Sequence, residues 1–236
     1  MKRRCARGNP AARRKSLHSY EIVYDKPGTY VLMAETSPGY FAMYTDKDGR
    51  NRHSLKPLHT FAADAESVQT SMRTSQWAKT YVVCDGPSDP FPAAVGLPLE
   101  LVPEQDPASL REGDVLRLRI FPEGEILRGE GYWDATYGGF STEAEDMYLQ
   151  RTAVIGGAFS VPLNTGGRWF VRFFIKTDAP GDRRNNYLIE KRTATLTFMI
   201  PLLVWAASTQ VNAVATPQAS GMKANMITAL RRFKWI

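Results

Sequence analysis

Apolar and polar residues alternate at a period of two along most of this chain, and clusters of Gly, Pro, Asp and Ser interrupt the alternation at short intervals. A half-buried β-strand has that period, because successive side chains point to opposite faces of a sheet. Residues 19–25, 30–35 and 40–45 are expected to be strands, separated by the turns Lys26-Pro27-Gly28 and Ser37-Pro38-Gly39. Residues 62–78 break the pattern. Ala63, Ser67, Val68 and Met72 recur there at helical spacing, without Gly or Pro among them, so a short helix is expected. Residues 79–84 return to strand. Asp85-Gly86-Pro87-Ser88-Asp89-Pro90-Phe91-Pro92 is then dense enough in turn formers to read as part of a linker, residues 85–96.

Beyond that linker the alternation sharpens. Leu116, Leu118 and Ile120 share one face of residues 114–121, while Arg117 and Arg119 take the other. Trp169, Val171, Phe173 and Ile175 alternate with Phe170, Arg172, Phe174 and Lys176, and Ala194, Leu196, Phe198 and Ile200 alternate with Thr193, Thr195, Thr197 and Met199. With residues 97–102, 132–140, 150–154 and 158–163, the segment 97–200 holds seven short strands, the immunoglobulin-type number. One apolar face per strand predicts two antiparallel sheets packed face to face. The expected fold is all-β, with two β-domains: a partial N-terminal one over 17–84 carrying the helix, and an Ig- or prealbumin-like sandwich over 97–200. Trp133 and Trp169 are expected in the core, with Trp169, Phe173, Leu118 and Leu196 meeting between the sheets.

Asp46-Lys47-Asp48-Gly49 poses a choice between a calcium loop and a turn. A calcium loop needs ligands at positions 1, 3 and 5, Gly at 6 and Glu at 12. Counted from Asp46, position 5 is Arg50, 6 is Asn51 and 12 is Pro57, so the register fails. Asp at the head of a turn and Gly at its left-handed corner fit a strand end.

The net charge of +6 would suggest an acidic partner, but its distribution argues otherwise. Residues 1–16 carry seven basic groups and 201–236 four, with no acid in either, so the middle holds 19 basic against 24 acidic residues, a net of −5. A nucleic-acid groove needs basic residues gathered on one structured face, so no nucleic-acid partner is expected. The first 16 residues read as a solvated, disordered arm, and 201–236 as an unassigned basic tail. Cys5 and Cys84 form no C-x-x-C pair, and Cys84 reads as a buried small hydrophobe. No apolar signal region follows the basic start. The apolar run 198–207 is too short to span a bilayer and contains Pro201, so no transmembrane span is expected.

The segments KPGTYVLMAETSPGYFAMYTDKDGR, SQWAKTYVV, VGLPLELVPEQDPASLREGDVLRLRIFPEGEILRGEGYWDATYGGFS, GGRWFVRF and TATLTFMI resemble a family known as nickel uptake transporter or cobalt-transport periplasmic component, otherwise a domain of unknown function. The similarity runs over about residues 20–200, and the LPLELVP block is its most specific part. The resemblance implies an exported, all-β, two-part protein with an accessory or binding role beside a membrane complex for nickel or cobalt uptake. Family members begin with a cleaved signal and a histidine-bearing strand. Neither is found here, so an N-terminally truncated chain or a misassigned start is expected. Periplasmic residence follows from the resemblance, and cytoplasmic residence is the alternative.

Nickel and cobalt favour imidazole, with carboxylates filling remaining positions. Three histidines are present, His18, His53 and His59, and no two share helical or strand spacing on one face. His53 and His59 flank Ser-Leu-Lys-Pro-Leu, and a loop could join them, with Asp46 or Asp48 as oxygen donors. An acid-based enzyme would draw on Glu123 and Glu125, Asp134, or Glu143, Glu145 and Asp146. The first pair sits in a turn, the last three lie in a polar connection, and no G-x-S-x-G, phosphate loop or H-E-x-x-H occurs. The reading is therefore non-enzymatic: a nickel/cobalt-uptake accessory, or alternatively a structural or interaction β-sandwich module recognising a protein or a carbohydrate.

Overall fold

The computed structural model describes residues 22–143 and 145–202, and over them the protein is all-β. Eleven strands follow in chain order: β1 Gly28–Glu35, β2 Gly39–Asp46, β3 Asn51–Ser54, β4 Ala65–Cys84, β5 Leu99–Pro103, β6 Val115–Pro122, β7 Glu130–Tyr137, β8 Leu149–Ile155, β9 Ala158–Pro162, β10 Gly167–Asp178 and β11 Ile189–Ile200. They form a large sheet of order β3-β2-β4-β11-β10-β7-β8, with β1 also paired to β4, and a small sheet of order β5-β6-β9. The seven strands expected over 97–200 are β5 to β11.

The helix expected over 62–78 does not exist. A single 3-10 turn, Leu58–Thr60, precedes the twenty-residue strand β4. The reason lies in its second half, where Ser71, Ser75, Trp77, Lys79 and Tyr81 are buried at every second or fourth position. That period fits a sheet and no helix. The β-branched Val68, Thr70, Thr74, Thr80 and Val82 favour the same choice. β4 is long because it serves three neighbours: β2 pairs with residues 65–74, β1 with residues 77–84, and β11 lies along the opposite edge.

The β4–β11 pairing is parallel, whereas every other pairing is antiparallel. The large sheet is therefore mixed, a departure from two purely antiparallel sheets, and it runs without a break from the N-terminal strands into β11. The expected strand over 19–25 is also corrected, since its described part, residues 22–25, is irregular. The basic arm, Cys5, His18 and the tail beyond residue 202 lie outside the described residues. No described helix is long and apolar enough to cross a membrane.

One core lies between the sheets, with Leu99, Leu101, Leu116, Leu118, Ile120 and Val161 from the small sheet. The large sheet supplies Trp77, Trp169, Val171, Phe173, Leu196 and Phe198. Register explains the match, because Trp169 pairs with Phe198, Val171 with Leu196 and Phe173 with Ala194, which puts both apolar rows on one face. Trp169, Phe173, Leu118 and Leu196 are all fully buried in that cluster, as their alternation predicts. Trp133 is only half-buried and stacks on Phe159 at 4.7 Å. At Gly131 a Cβ would stand 2.3 Å from the Phe173 ring, so the β7 backbone approaches that ring too closely for any side chain.

Candidate functional site

The core face of the β4–β11 seam changes character along its length. Register places Lys79 beside Leu196, Trp77 beside Ala194, Ser75 beside Arg192 and Arg73 beside Glu190. The period of two continues, but the residue type turns from apolar to charged. At this polar end a cleft of about 310 Å³ opens, lined among others by Glu35, Trp77, Glu123 and Arg183. Glu35 arrives by pairing with Trp77 across β1–β4. Pro98 and Glu123 close the other side, and the Glu123 amide donates to the Pro98 carbonyl at 2.9 Å.

Four of the six charged residues that line the cleft are paired within it, and Arg183 meets Asp182 at 3.9 Å beside it. Arg73 forms an ion pair with Glu190, both largely buried. Arg192 donates to Glu123 at 2.6 Å and to the Pro98 carbonyl at 2.5 Å. Its guanidinium also lies 5.5 Å over the Trp77 ring. The buried Trp77 Nε1 has no hydrogen-bond partner among the described residues, an unsatisfied donor in the cleft wall. Three arginines face three glutamates, and among the described residues neither His nor Cys lines the cleft.

Behind the cleft, Lys79 and Glu100 form a buried ion pair of 2.6 Å, with side chains 2% and 3% exposed. Glu100 also accepts from the amides of Val95, Gly96 and Leu97 at 2.9, 2.9 and 3.2 Å. Lys79 donates to the Ala93 carbonyl at 2.9 Å, where the Tyr81 hydroxyl also donates. Burial pushes the Lys79 ammonium below its ordinary range, opposed by Glu100, and pushes the Tyr81 phenol up. Farther back, the Ser88 side chain accepts from the Thr29 amide and the Thr29 side chain from the Ser88 amide. The turn-rich stretch is thus fastened to β1, β4 and β5.

The residues proposed for a metal lie apart from this cleft and are engaged locally. The Asp46 carboxylate accepts from the amides of Asp48 and Arg50 at 3.1 and 2.9 Å and from Arg52 Nε at 2.8 Å. Gly49, at φ +77°, donates to the Asp46 carbonyl, so the tetrad is the turn between β2 and β3. Asp48 meets Arg50 at 3.3 Å. His53 is exposed on β3 opposite Met43, and His59 sits in the 3-10 turn with Nδ1 3.0 Å from Asn186 Oδ1. Among the described residues no three His, Cys, Asp or Glu side chains gather as a metal-holding group. Cys84 is half-buried rather than buried.

Arg52 holds the Asp46 carboxyl below its ordinary value of 3.8, helped by the Arg50 amide. A folded value below the unfolded one makes this contribution full above the ordinary aspartate range. It disappears as pH falls through the folded value. Asp46→Asn keeps an oxygen for the two amides and removes the charge facing Arg52. The stability gap between parent and Asp46→Asn should therefore be present at neutral pH and close in acid. A carboxyl-carbon NMR titration should give Asp46 a midpoint below 3.8. A midpoint at or above that value would refute the pairing.

Three of the acids considered from sequence for catalysis, Glu123, Asp134 and Glu145, are held by arginines. Glu123 lines the cleft, and Asp134 is buried, gripped by Arg172 at 2.9 and 2.7 Å. Glu145 lies between Arg172 and Arg151. Sequence reading missed the cleft because Arg73 and Ser75 fell in the expected helix, while Glu190 and Arg192 preceded the expected strand. The available signal was the unbroken row Glu190, Arg192, Ala194, Leu196 at period two.

No curated protein and no solved structure matches the chain. Residues 5–177 match the family described as a domain of unknown function, DUF4198, and since the match covers well over half of the 236 residues, the chain belongs to that family.

Proposed function

We propose that this protein is a non-enzymatic binding module that takes a polar, uncharged ligand, a carbohydrate or a peptide segment, in the cleft at the end of the β4–β11 seam. The observation that carries the reading is the cleft's balanced charge, three arginines against three glutamates, four of the six paired with one another. Arg73 with Glu190 and Arg192 with Glu123 offer donors and acceptors in fixed directions without a net field for ions. The unsatisfied Trp77 Nε1 adds a donor that an outside acceptor could meet if Arg192 shifts. Non-enzymatic action is supported by the lining. Its hydroxyl, Ser75, has no histidine beside it among the described residues, and Glu123 and Glu190 are held by arginines. In this reading β5 to β11 act as the Ig- or prealbumin-like module, three strands over four, and the N-terminal strands extend its larger sheet.

A second reading, an extracytoplasmic accessory of nickel or cobalt uptake, is favoured by the resemblance of residues 20–200. It assigns any metal to His53 and His59 with Asp46 or Asp48. One set of titrations separates the two. Saturation-transfer NMR with a panel of neutral oligosaccharides and short uncharged peptides should detect a binder. Arg192→Ala and the milder Glu123→Gln should weaken it, the former by roughly tenfold or more, as expected for a lost charged hydrogen bond. Calorimetry with nickel chloride should give no stoichiometric heat. Nickel heat that vanishes in His53→Ala, together with silence from the panel, would replace the first reading by the second.

A further inference from the structure

The outer face of the large sheet, opposite the core, gathers basic side chains from three strands around one aromatic ring. Lys191 Nζ of β11 lies 4.7 Å from the Phe174 ring centre, the Arg151 guanidinium of β8 lies 5.1 Å away and Lys176 Nζ of β10 lies 6.0 Å away. Tyr132 of β7 stacks on the same ring at 5.6 Å and donates its hydroxyl to Glu130. Arg172 neighbours the cluster, but its guanidinium is committed to Asp134 and Glu145, and Arg151 also meets these two, Glu145 through Nη2 at 3.2 Å and Asp134 through Nε at 3.7 Å. The two lysines have no such partner: no carboxylate of the described residues lies within ion-pairing distance of either.

One part of this arrangement is repulsive. Lys176 and Lys191 are direct cross-strand partners in β10–β11, where like charges repel. Burial pushes the Lys191 ammonium below its ordinary range, and Arg172, Lys176 and Arg151 push it further, with only Glu145 opposing. The chain has little with which to relieve this from elsewhere. The only acidic side chain in residues 1–21 and 203–236 is Glu21.

We propose that Lys191, Lys176 and Arg151 form a binding site for a tetrahedral oxyanion, a phosphate or sulfate group, free or carried on a larger molecule. Three cationic heads from three strands around one ring suit an anion with several equivalent oxygens, which can accept from the two lysine ammoniums and from the Arg151 Nη1 that Asp134 and Glu145 leave over. Phe174, with Tyr132 stacked on it, forms the aromatic floor of the group, over which Lys191 is half-buried while Lys176 and Arg151 face solvent. The site lies on the face opposite the cleft and does not depend on the ligand proposed there.

The test is calorimetry with inorganic phosphate and inorganic sulfate against chloride at equal ionic strength, on the parent, Lys191→Met and Lys191→Gln. The parent should give saturable heat with at least one oxyanion, weakened roughly tenfold or more in both variants. In chloride alone, both variants should melt no lower than the parent, because each removes a repelled charge. Co-sedimentation with phosphatidylcholine vesicles containing phosphatidylglycerol identifies the source. Pelleting that requires Lys191 assigns the group to a lipid headgroup, and phosphate heat without pelleting assigns a soluble oxyanion. Absence of saturable heat and of pelleting, heat that both variants retain, or variants that melt well below the parent in chloride would overturn the site.

Discussion

Replacing Trp169 with alanine should lower the unfolding free energy by about 3–5 kcal/mol, the range for truncating a fully buried large aromatic. Trp169 has no exposed surface and sits in the shared core, with Tyr137 at 5.5 Å and Tyr148 at 6.1 Å between ring centres. Its Nε1 donates to the Thr165 carbonyl at 2.9 Å, so the substitution also removes a partner from that carbonyl. The rings around it come from the end of β7, where Tyr137 pairs with Trp169 itself, and from the approach to β8. Urea denaturation should show a lower midpoint with an unchanged slope. A variant that melts within a degree or two of the parent would mean that Trp169 does not stand between the sheets.

Breaking the buried Lys79–Glu100 pair should be of similar size, and the two halves should not be equivalent. Removing one partner of a buried pair strands the other charge and costs about 3–5 kcal/mol. Lys79→Met leaves Glu100 with three backbone amides that still stabilise its charge. Glu100→Leu leaves an ammonium with the Ala93 carbonyl and the Tyr81 ring but no counter-charge, and orphans the amides of Val95, Gly96 and Leu97. Glu100→Leu should therefore be the more damaging. The double variant should be less damaging than the sum of the two, with a coupling of roughly 0.5–3 kcal/mol. Amide exchange should quicken at residues 95–97 in Glu100→Leu but not in Lys79→Met. Equal losses in the two single variants would mean that Glu100 does not organise this segment.

Parts of this architecture are plain in the residues. Leu116, Leu118 and Ile120, or Trp169, Val171, Phe173 and Ile175, mark a buried face at every second position, and each became one side of a strand in the core. Asp46 and Gly49 marked a turn by their own chemistry, and the turn stands where they put it. Residues 65–74 were misread because most of them stay partly exposed, so little apolar contrast marks either period there. Lys79 interrupts the buried row of Trp77 and Tyr81, and Glu100 stands between Leu99 and Leu101. Each is a visible anomaly in its own strand, but nothing in either strand names the other as its partner.

Whether a segment forms a strand, and which of its faces is buried, is a local property, because a period of two needs only neighbouring residues to express it. The chain therefore carried its all-β character, its seven C-terminal strands and its main core residues in readable form. Which strand lies beside which depends on complementarity between segments far apart, and no local pattern encodes it. The parallel seam joins β4 to β11 across more than a hundred residues. It aligns Arg73 with Glu190, brings Arg192 to Glu123 and so creates the cleft. Pairing across the sheet likewise placed Lys176 against Lys191 and drew Arg151 to the same ring. Both candidate sites are products of long-range register, settled when the sheets closed over one core and each charged side chain met the neighbours that packing left it.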